Sequence, residues 1–137
     1  MSTPSKDLLR GVSLFAEADE AFLDRLSGEF IERTYEPGET IAEEGEVGRT
    51  FVVIESGEVT VTVHGQDVGK LGPGESFGEM ALIDKSARSA TVKAEGEVHG
   101  YQLPVWSFRP IVESHPEMAW ALLEALAQRV RVAESRT

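Results

Sequence analysis

The sequence of 137 residues contains no cysteine. This absence excludes a disulfide framework, a thiol nucleophile and thiolate ligands for a metal ion. Apolar runs are also short, since none approaches the ~18 residues that a membrane span requires. The N-terminal stretch MSTPSKDLLRGVSLF lacks the long apolar core of a signal peptide. We therefore expect a soluble, cytoplasmic protein.

Basic residues are scarce as well. The chain has 13 Lys and Arg against 24 Asp and Glu, which gives a formal net charge of −11. Nucleic-acid binding requires a clustered excess of Lys and Arg, so a DNA or RNA partner is not expected. In so acidic a chain, an anion can be held only by a dedicated cation and by backbone amides directed at it.

The length of the chain predicts one domain, 1–137. Apolar periodicity predicts that it is of class α+β, mainly β with flanking helices. Residues 1–30 read as helical, 31–103 as all-β and 104–137 as helical again. In the β part, valines and threonines alternate from Val59 to Val63, and glycines recur every few residues, which is typical of a sandwich or barrel. Ser56-Gly57 is predicted to be a hairpin turn, and the stretch from His64 to Asp67 the next turn.

The C-terminal part predicts a short helix, VWSFRPIVESH, and then a longer helix that Pro116 opens. An apolar stripe runs along the longer helix. It comprises Ala119, Leu122, Leu123, Leu126, Val130 and Ala133. One interpretation is that this stripe packs on the chain's own barrel. The other is that it forms a homodimer with a second copy, since Trp120 and several alanines leave apolar area on further sides of the helix.

The stretch ESFGEMALIDKSARSATV carries the candidate chemistry. Residues Gly78 to Leu82 suit a single helical turn, whose first amides have no partner within the turn and can receive an anion. If the following loop folds back, Arg88 reaches this turn, and its planar guanidinium suits two oxygens of one phosphate. Glu79 can accept hydrogen bonds from neutral hydroxyls. Together these groups match a ribose cyclic phosphate, whereas the simpler interpretation is a surface ion pair between Glu79 and Arg88.

Three strings carry a family resemblance: GEVGRTFVVIESGEVTV (45–61), LGPGESFGEMAL (71–82) and RSA (88–90). They resemble the cyclic nucleotide-binding domain of catabolite-activator-type bacterial regulators, kinase regulatory subunits and gated channels, and the resemblance covers nearly the whole chain. It implies an eight-stranded antiparallel β-roll of jelly-roll type with helices at both ends. It also implies a cyclic nucleotide as ligand, with cyclic AMP expected ahead of cyclic GMP and no further cofactor.

The same resemblance implies roles for individual residues. A phosphate-binding turn would consist of Gly78, Glu79, Met80 and Ala81, and Glu79 would take the ribose 2′-hydroxyl. Arg88 would neutralise the cyclic phosphate and Ser89 would donate to it. On the base side, the implied contacts are Val61, Val68 and Arg129.

The sequence departs from the family pattern at two places. Ala87 stands where the family commonly has proline, which makes the loop less rigid without removing a ligand contact. Ala133 and Glu134 replace hydroxyl side chains on the final helix, where the bacterial regulators contact the base. The implied function is a regulatory sensor, not an enzyme, that transmits binding through its C-terminal helices to an unknown effector protein. The hinge would lie at Ser114-His115-Pro116.

Two other functions fit the same fold. The first is a β-roll without ligand that serves as a protein-interaction or dimerisation module. The second, more remote, is a metal-dependent, cupin-like enzyme, which needs converging histidines. His64, His99 and His115 form no His-x-His pair and share no predicted strand, and no serine stands in a nucleophile-elbow motif.

No DNA-binding module follows the last helix within the 137 residues. Met1 is taken as a natural start of the chain. Two interpretations follow, a freestanding sensor that acts on a partner or a piece of a longer protein.

Overall fold

The computed structural model describes residues 2–84 and 86–136. Its α-helices are α1 (Lys6–Arg10), α2 (Glu20–Gly28), α3 (Phe108–Ser114) and α4 (Glu117–Glu134). Its strands are β1 (Ile31–Tyr35), β2 (Thr40–Ala42), β3 (Thr50–Ser56), β4 (Val59–Val63), β5 (Gln66–Leu71), β6 (Ser76–Phe77), β7 (Thr91–Ala94) and β8 (Val98–Pro104). Short 3-10 helices span Ser13–Phe15, Glu79–Leu82 and Val105–Ser107.

The strands form two four-stranded sheets. The first sheet has the order β1-β8-β3-β6 and the second the order β2-β7-β4-β5. Every pairing in both sheets is antiparallel. The predicted eight-stranded antiparallel β-roll with flanking helices is therefore confirmed.

Strand β3 links two hydrophobic cores because successive side chains of a strand point to opposite faces. Phe51 and Val53 belong to the core that the helices form on the outside of the first sheet. Val52 and Ile54 belong to the core between the two sheets. All four side chains are buried, which explains the uninterrupted apolar run at the start of this strand.

An aromatic cluster centres on Phe15 and fixes the helices to the first sheet. The ring of Phe15 lies 5.9 Å from that of Phe51, 6.0 Å from Phe108 and 6.5 Å from Phe22, measured between centroids. Helix α2 begins where the Asp19 carboxylate accepts a hydrogen bond from the Phe22 amide at 2.8 Å. The N-terminal and C-terminal helices thus share one core on one side of the roll.

The prediction of a hairpin at Ser56-Gly57 is wrong. Strand β3 lies in the first sheet and β4 in the second, so this turn carries the chain from one sheet to the other. Gly57 has a φ of +92°, and a Cβ there would lie 2.5 Å from the Glu97 carbonyl oxygen. The hairpin turn between β4 and β5 consists of His64 and Gly65, with φ values of +52° and +77°.

The predicted stripe on the last helix is split between two environments. Leu122 is buried in the helix-side core and Leu126 packs against it. Leu123 and Val130 are 55% and 56% exposed. The interpretation that the whole stripe packs on the chain's own barrel is therefore wrong, because Met118 and Leu122 set the buried face of α4 and turn Leu123 away from it.

None of the helices in residues 2–84 and 86–136 combines the length and the hydropathy of a membrane span.

Candidate functional site

The turn that follows β6 is positioned by the first sheet. Phe77 pairs with Val52 of β3 and is itself buried in the core between the sheets. Gly78, with a φ of +87°, then reverses the chain into the 3-10 helix Glu79–Leu82. Leu82 anchors the other end of this turn in the helix-side core. The turn is thus fixed at both ends by buried side chains.

The backbone of Arg88 is held by the loop before β3. Its amide donates to the Glu46 carbonyl at 2.7 Å, and its carbonyl accepts from the Gly45 amide at 2.9 Å. An isolated antiparallel bridge between Val47 and Ala87 extends this contact. The loop around Arg88 is therefore tied to the roll by main-chain hydrogen bonds, although it lacks the proline of the family pattern.

The Arg88 side chain points at the turn Glu79–Leu82, as the sequence predicted. Its Nη2 donates to the Thr50 carbonyl at 2.5 Å, and a side chain at Gly78 would collide with its Nη1. Burial lowers the pKa of the Arg88 guanidinium, and the nearby Glu79 charge opposes that shift. Because an arginine titrates far above neutral pH, the group stays charged. A half-buried positive charge therefore faces the turn.

Glu79 is paired with a residue of the last helix. Its Oε1 accepts a hydrogen bond from Arg129 Nη2 at 2.8 Å, and Arg129 Nη1 lies 3.7 Å from the sulfur of Met80. The Glu79 side chain is only 18% exposed. The interpretation of a surface ion pair between Glu79 and Arg88 is wrong, since each of the two side chains has a different partner. Helix α4 is connected to the turn through this contact.

These groups surround a cavity of about 520 Å³, a size typical of small-molecule sites. Its apolar wall comes from four strands of the second sheet and from β6. This wall consists of Ala42, Val61, Leu71, Val92 and Phe77. Residues 78–81, Asp84, residues 86–90 and Arg129 supply its polar wall. The cavity thus has one side suited to a flat apolar group and another that carries charge.

Of the nine residues predicted to contact a ligand, the structure gathers eight. These are Gly78, Glu79, Met80, Ala81, Arg88, Ser89, Val61 and Arg129. Val68 does not line the cavity and is 61% exposed. The register of β4 and β5 shifts so that Val61 pairs with Gly69 and Thr62 with Asp67, which leaves Val68 as the extra residue of a bulge. Its contact with a base stays a prediction.

Sequence reasoning missed several groups near the site. Thr50 acts through its carbonyl oxygen, which every residue type possesses, so no sequence signal marks it. Asp84 and Ser86 line the cavity and are joined by a 2.7 Å hydrogen bond from the Ser86 hydroxyl to the Asp84 carboxylate. Their signal is the Asp-x-Ser spacing, which favours such a local turn.

The three histidines lie in separate surroundings. His64 Nδ1 is 3.1 Å from the Glu44 carboxylate, and His99 Nδ1 is 3.3 Å from that of Glu55. The ring of His115 packs edge-on against Phe22. No three His, Asp or Glu side chains in residues 2–84 and 86–136 are grouped so that they could hold a metal ion.

The fold and the cavity define a β-roll with a cavity of small-molecule size and a half-buried guanidinium on one side of it. A comparison with known protein families identifies the particular kind. Residues 32–115 match the family described as the cyclic nucleotide-binding domain, and the chain belongs to this family. Its domains serve regulation rather than catalysis.

Relatives and solved structures agree with this assignment. Over 113 residues, 82% of the chain, it is 32% identical to the rabbit (Oryctolagus cuniculus) potassium/sodium hyperpolarization-activated cyclic nucleotide-gated channel 4. The N-terminal domain of a Streptomyces coelicolor A3(2) transcriptional regulator superposes with a TM-score of 0.85 at 32% identity, covering 94% of this chain and 96% of that one. The Thermus thermophilus catabolite activator protein gives a TM-score of 0.74 at 29% identity over 90% of this chain and 61% of that one.

The chain spans only 10% of the length of that channel and 13% of the mouse channel 2 of the same group. The similarity therefore concerns the domain and not the activity of a whole channel.

The hydrogen bond between Arg129 and Glu79 should restrain local opening of helix α4 to a measurable extent. Arg129→Gln should raise amide hydrogen exchange in the turns of α4 around residue 129 by about two- to fivefold, the effect of losing a contact of about 0.5–1 kcal/mol. Arg131→Gln, two residues further along the same helix, is the matched control and should leave exchange there unchanged. Equal exchange in both variants would contradict a tether at Arg129.

Proposed function

We propose that this domain binds cyclic AMP in the 520 Å³ cavity and acts as a regulatory sensor whose ligand alters helix α4. The observation that carries the proposal is the guanidinium of Arg88, half-buried beside the turn Glu79–Leu82. A net charge of −11 repels anions in general, so a fixed buried cation implies a specific anionic ligand. We further propose a cytoplasmic location and an effector protein as the partner that reads the signal.

The phosphate is assigned to the Arg88 side of the cavity. A guanidinium donates two parallel hydrogen bonds, which suits the two free oxygens of a cyclic phosphate diester. The first amides of the 3-10 helix Glu79–Leu82 have no acceptor within that turn and supply further donors. Ser89 lines the same wall and offers a hydroxyl.

The sugar and the base are assigned to the remaining walls. The Glu79 carboxylate accepts hydrogen bonds and would receive the ribose 2′-hydroxyl. Val61, Leu71 and Val92 offer an apolar surface for a purine ring. The two solved structures compared above come from a Streptomyces coelicolor transcriptional regulator and the Thermus thermophilus catabolite activator protein, which supports cyclic AMP ahead of cyclic GMP as the ligand.

We assign to Glu79 the transmission of ligand binding to helix α4, because Arg129 and the ribose hydroxyl would both use its carboxylate as a hydrogen-bond acceptor. In the structure it accepts a hydrogen bond from Arg129 at 2.8 Å. A ribose hydroxyl at the same oxygens weakens or redirects that bond, and Arg129 is then free to turn toward the ligand. A ligand shifts a conformational equilibrium only through such a difference in interaction between two states. Moving a population from mostly resting to mostly active takes roughly 5.5 kcal/mol of that difference.

A homodimer through α4 is the second part of the proposal. The exposed side of the helix carries Trp120, Leu123, Ala127 and Val130. Their spacing of three, four and three residues is that of the a and d positions of a coiled coil. Trp120 is 67% exposed, so this seam leaves large apolar side chains uncovered within the single chain.

The role of Arg88 is tested by calorimetric titration with cyclic AMP and cyclic GMP. Arg88→Ala should weaken binding by about 2–5 kcal/mol, roughly 30- to 5,000-fold, because one side of a buried charge pair is removed. Arg109→Ala, at an arginine whose side chain is 85% exposed, is the control and should bind as the wild type does. A wild type that releases no heat with either nucleotide would refute the sensor and favour an interaction module without ligand.

The role of Glu79 is tested by comparing cyclic AMP with its 2′-deoxy analogue. Glu79→Gln should weaken cyclic AMP about 10- to 100-fold, since a hydrogen bond to a charged acceptor is lost. The same substitution should lower the affinity for the 2′-deoxy analogue much less. Loss of the Arg129 pair affects both ligands alike, so the ratio of the two affinities isolates contact with the sugar. An unchanged ratio would mean that Glu79 only stabilises the turn.

The dimer is tested by sedimentation equilibrium with and without cyclic AMP. The wild type should sediment as a dimer and Leu123→Glu as a monomer, because a charge in the seam opposes burial. Val132→Glu is the matched control, since Val132 is also exposed but lies half a turn out of phase with Leu123. A monomeric wild type under both conditions would reject the dimer.

A further inference from the structure

The guanidinium of Arg88 lies in a slot whose walls are main chain. A side chain at Gly78 would collide with Nη1, and the Thr50 carbonyl accepts from Nη2 at 2.5 Å. On another side lies Gly48, where an ideal Cβ would be 3.2 Å from Nε and 3.3 Å from Cζ of Arg88. Two glycines and one carbonyl oxygen therefore surround the charged group.

Gly48 and Gly78 are glycines for different reasons. Gly78 has a φ of +87°, a conformation that other residues rarely adopt, so its backbone alone favours glycine. Gly48 is outside that left-handed region, so its φ does not by itself favour glycine. The space beside Gly48 is occupied by the Arg88 guanidinium and by Ala81. A Cβ added at Gly48 would lie only 2.9 Å from the Cβ of Ala81.

We propose that Gly48 is a positioning residue, which sets the distance between the Arg88 guanidinium and the turn Glu79–Leu82. A methyl group at Gly48 would have to displace either the guanidinium or Ala81. The Cβ of Ala81 is rigidly attached to the turn, so its displacement moves the turn itself. Either response changes the spacing of the two groups assigned to the phosphate, and the consequence for binding rests on the proposed function.

The first test is a double-mutant cycle on cyclic AMP affinity. Gly48→Ala should weaken binding about 10- to 100-fold, the usual effect of displacing a binding group by about 1 Å. In an Arg88→Ala background the same change should weaken binding less, because only the displacement of Ala81 remains. Gly96→Ala is the matched control, because its backbone also lies outside the left-handed region and nothing lies within 4 Å of an added Cβ. Equal losses from Gly48→Ala in both backgrounds would overturn the proposal.

The second test needs no ligand. The Nε–Hε signal of Arg88 in a 15N-correlated NMR spectrum, assigned by its absence from Arg88→Ala, should shift in Gly48→Ala and stay in place in Gly96→Ala. An unmoved signal in folded Gly48→Ala would overturn the positioning role. If the wild type binds no cyclic nucleotide, the proposed function fails, whereas this spectrum still decides where Arg88 lies.

A folding defect in Gly48→Ala would not end the test. Ala81→Gly removes the atom in closest contact with the added methyl group. The double variant Gly48→Ala/Ala81→Gly then takes the place of Gly48→Ala in both experiments, with Ala81→Gly as its reference. A shift of the Arg88 signal between these two proteins supports the proposal, and coincident signals refute it.

Discussion

A positive charge held by uncharged main chain is the feature on which the site depends. The guanidinium of Arg88 is half-buried, and its direct hydrogen-bond partner is the Thr50 carbonyl oxygen. Burying a charge is costly unless polar groups compensate, and burial indeed lowers the pKa of this arginine. Among the described residues, no carboxylate lies within salt-bridge distance of the guanidinium. The guanidinium therefore remains available to an anion, in a chain that is otherwise strongly acidic.

The fold connects this charge to distant parts of the chain. Strand β3 supplies the Thr50 carbonyl, pairs with β6 before the turn, and buries alternate side chains in both cores. Leu82 at the end of the turn shares the helix-side core with Leu122 of α4. The turn is therefore connected to the last helix through this core as well as through the pair between Glu79 and Arg129.

Local patterns predicted the site better than the long-range arrangement. The Gly78–Leu82 string takes its conformation from a left-handed glycine, which the sequence indicates. Arg88 is then held beside it by hydrogen bonds with Gly45, Glu46 and Thr50. The errors all concern partners. Ser56-Gly57 was expected to join paired strands but joins two sheets, and the α4 stripe was expected to share one face but divides between core and solvent. Periodicity identifies a strand or a helix without identifying what it packs against.

Residue type and spacing thus determined the fold class, the turn that follows Gly78 and the identity of the cation beside it. Only the tertiary structure decided that Glu79 pairs with Arg129 rather than Arg88, and that Gly48 lies against the guanidinium. The physical reason is that these contacts join segments far apart in the chain. Their distances follow from how two sheets and four helices pack together, which no short stretch of sequence encodes.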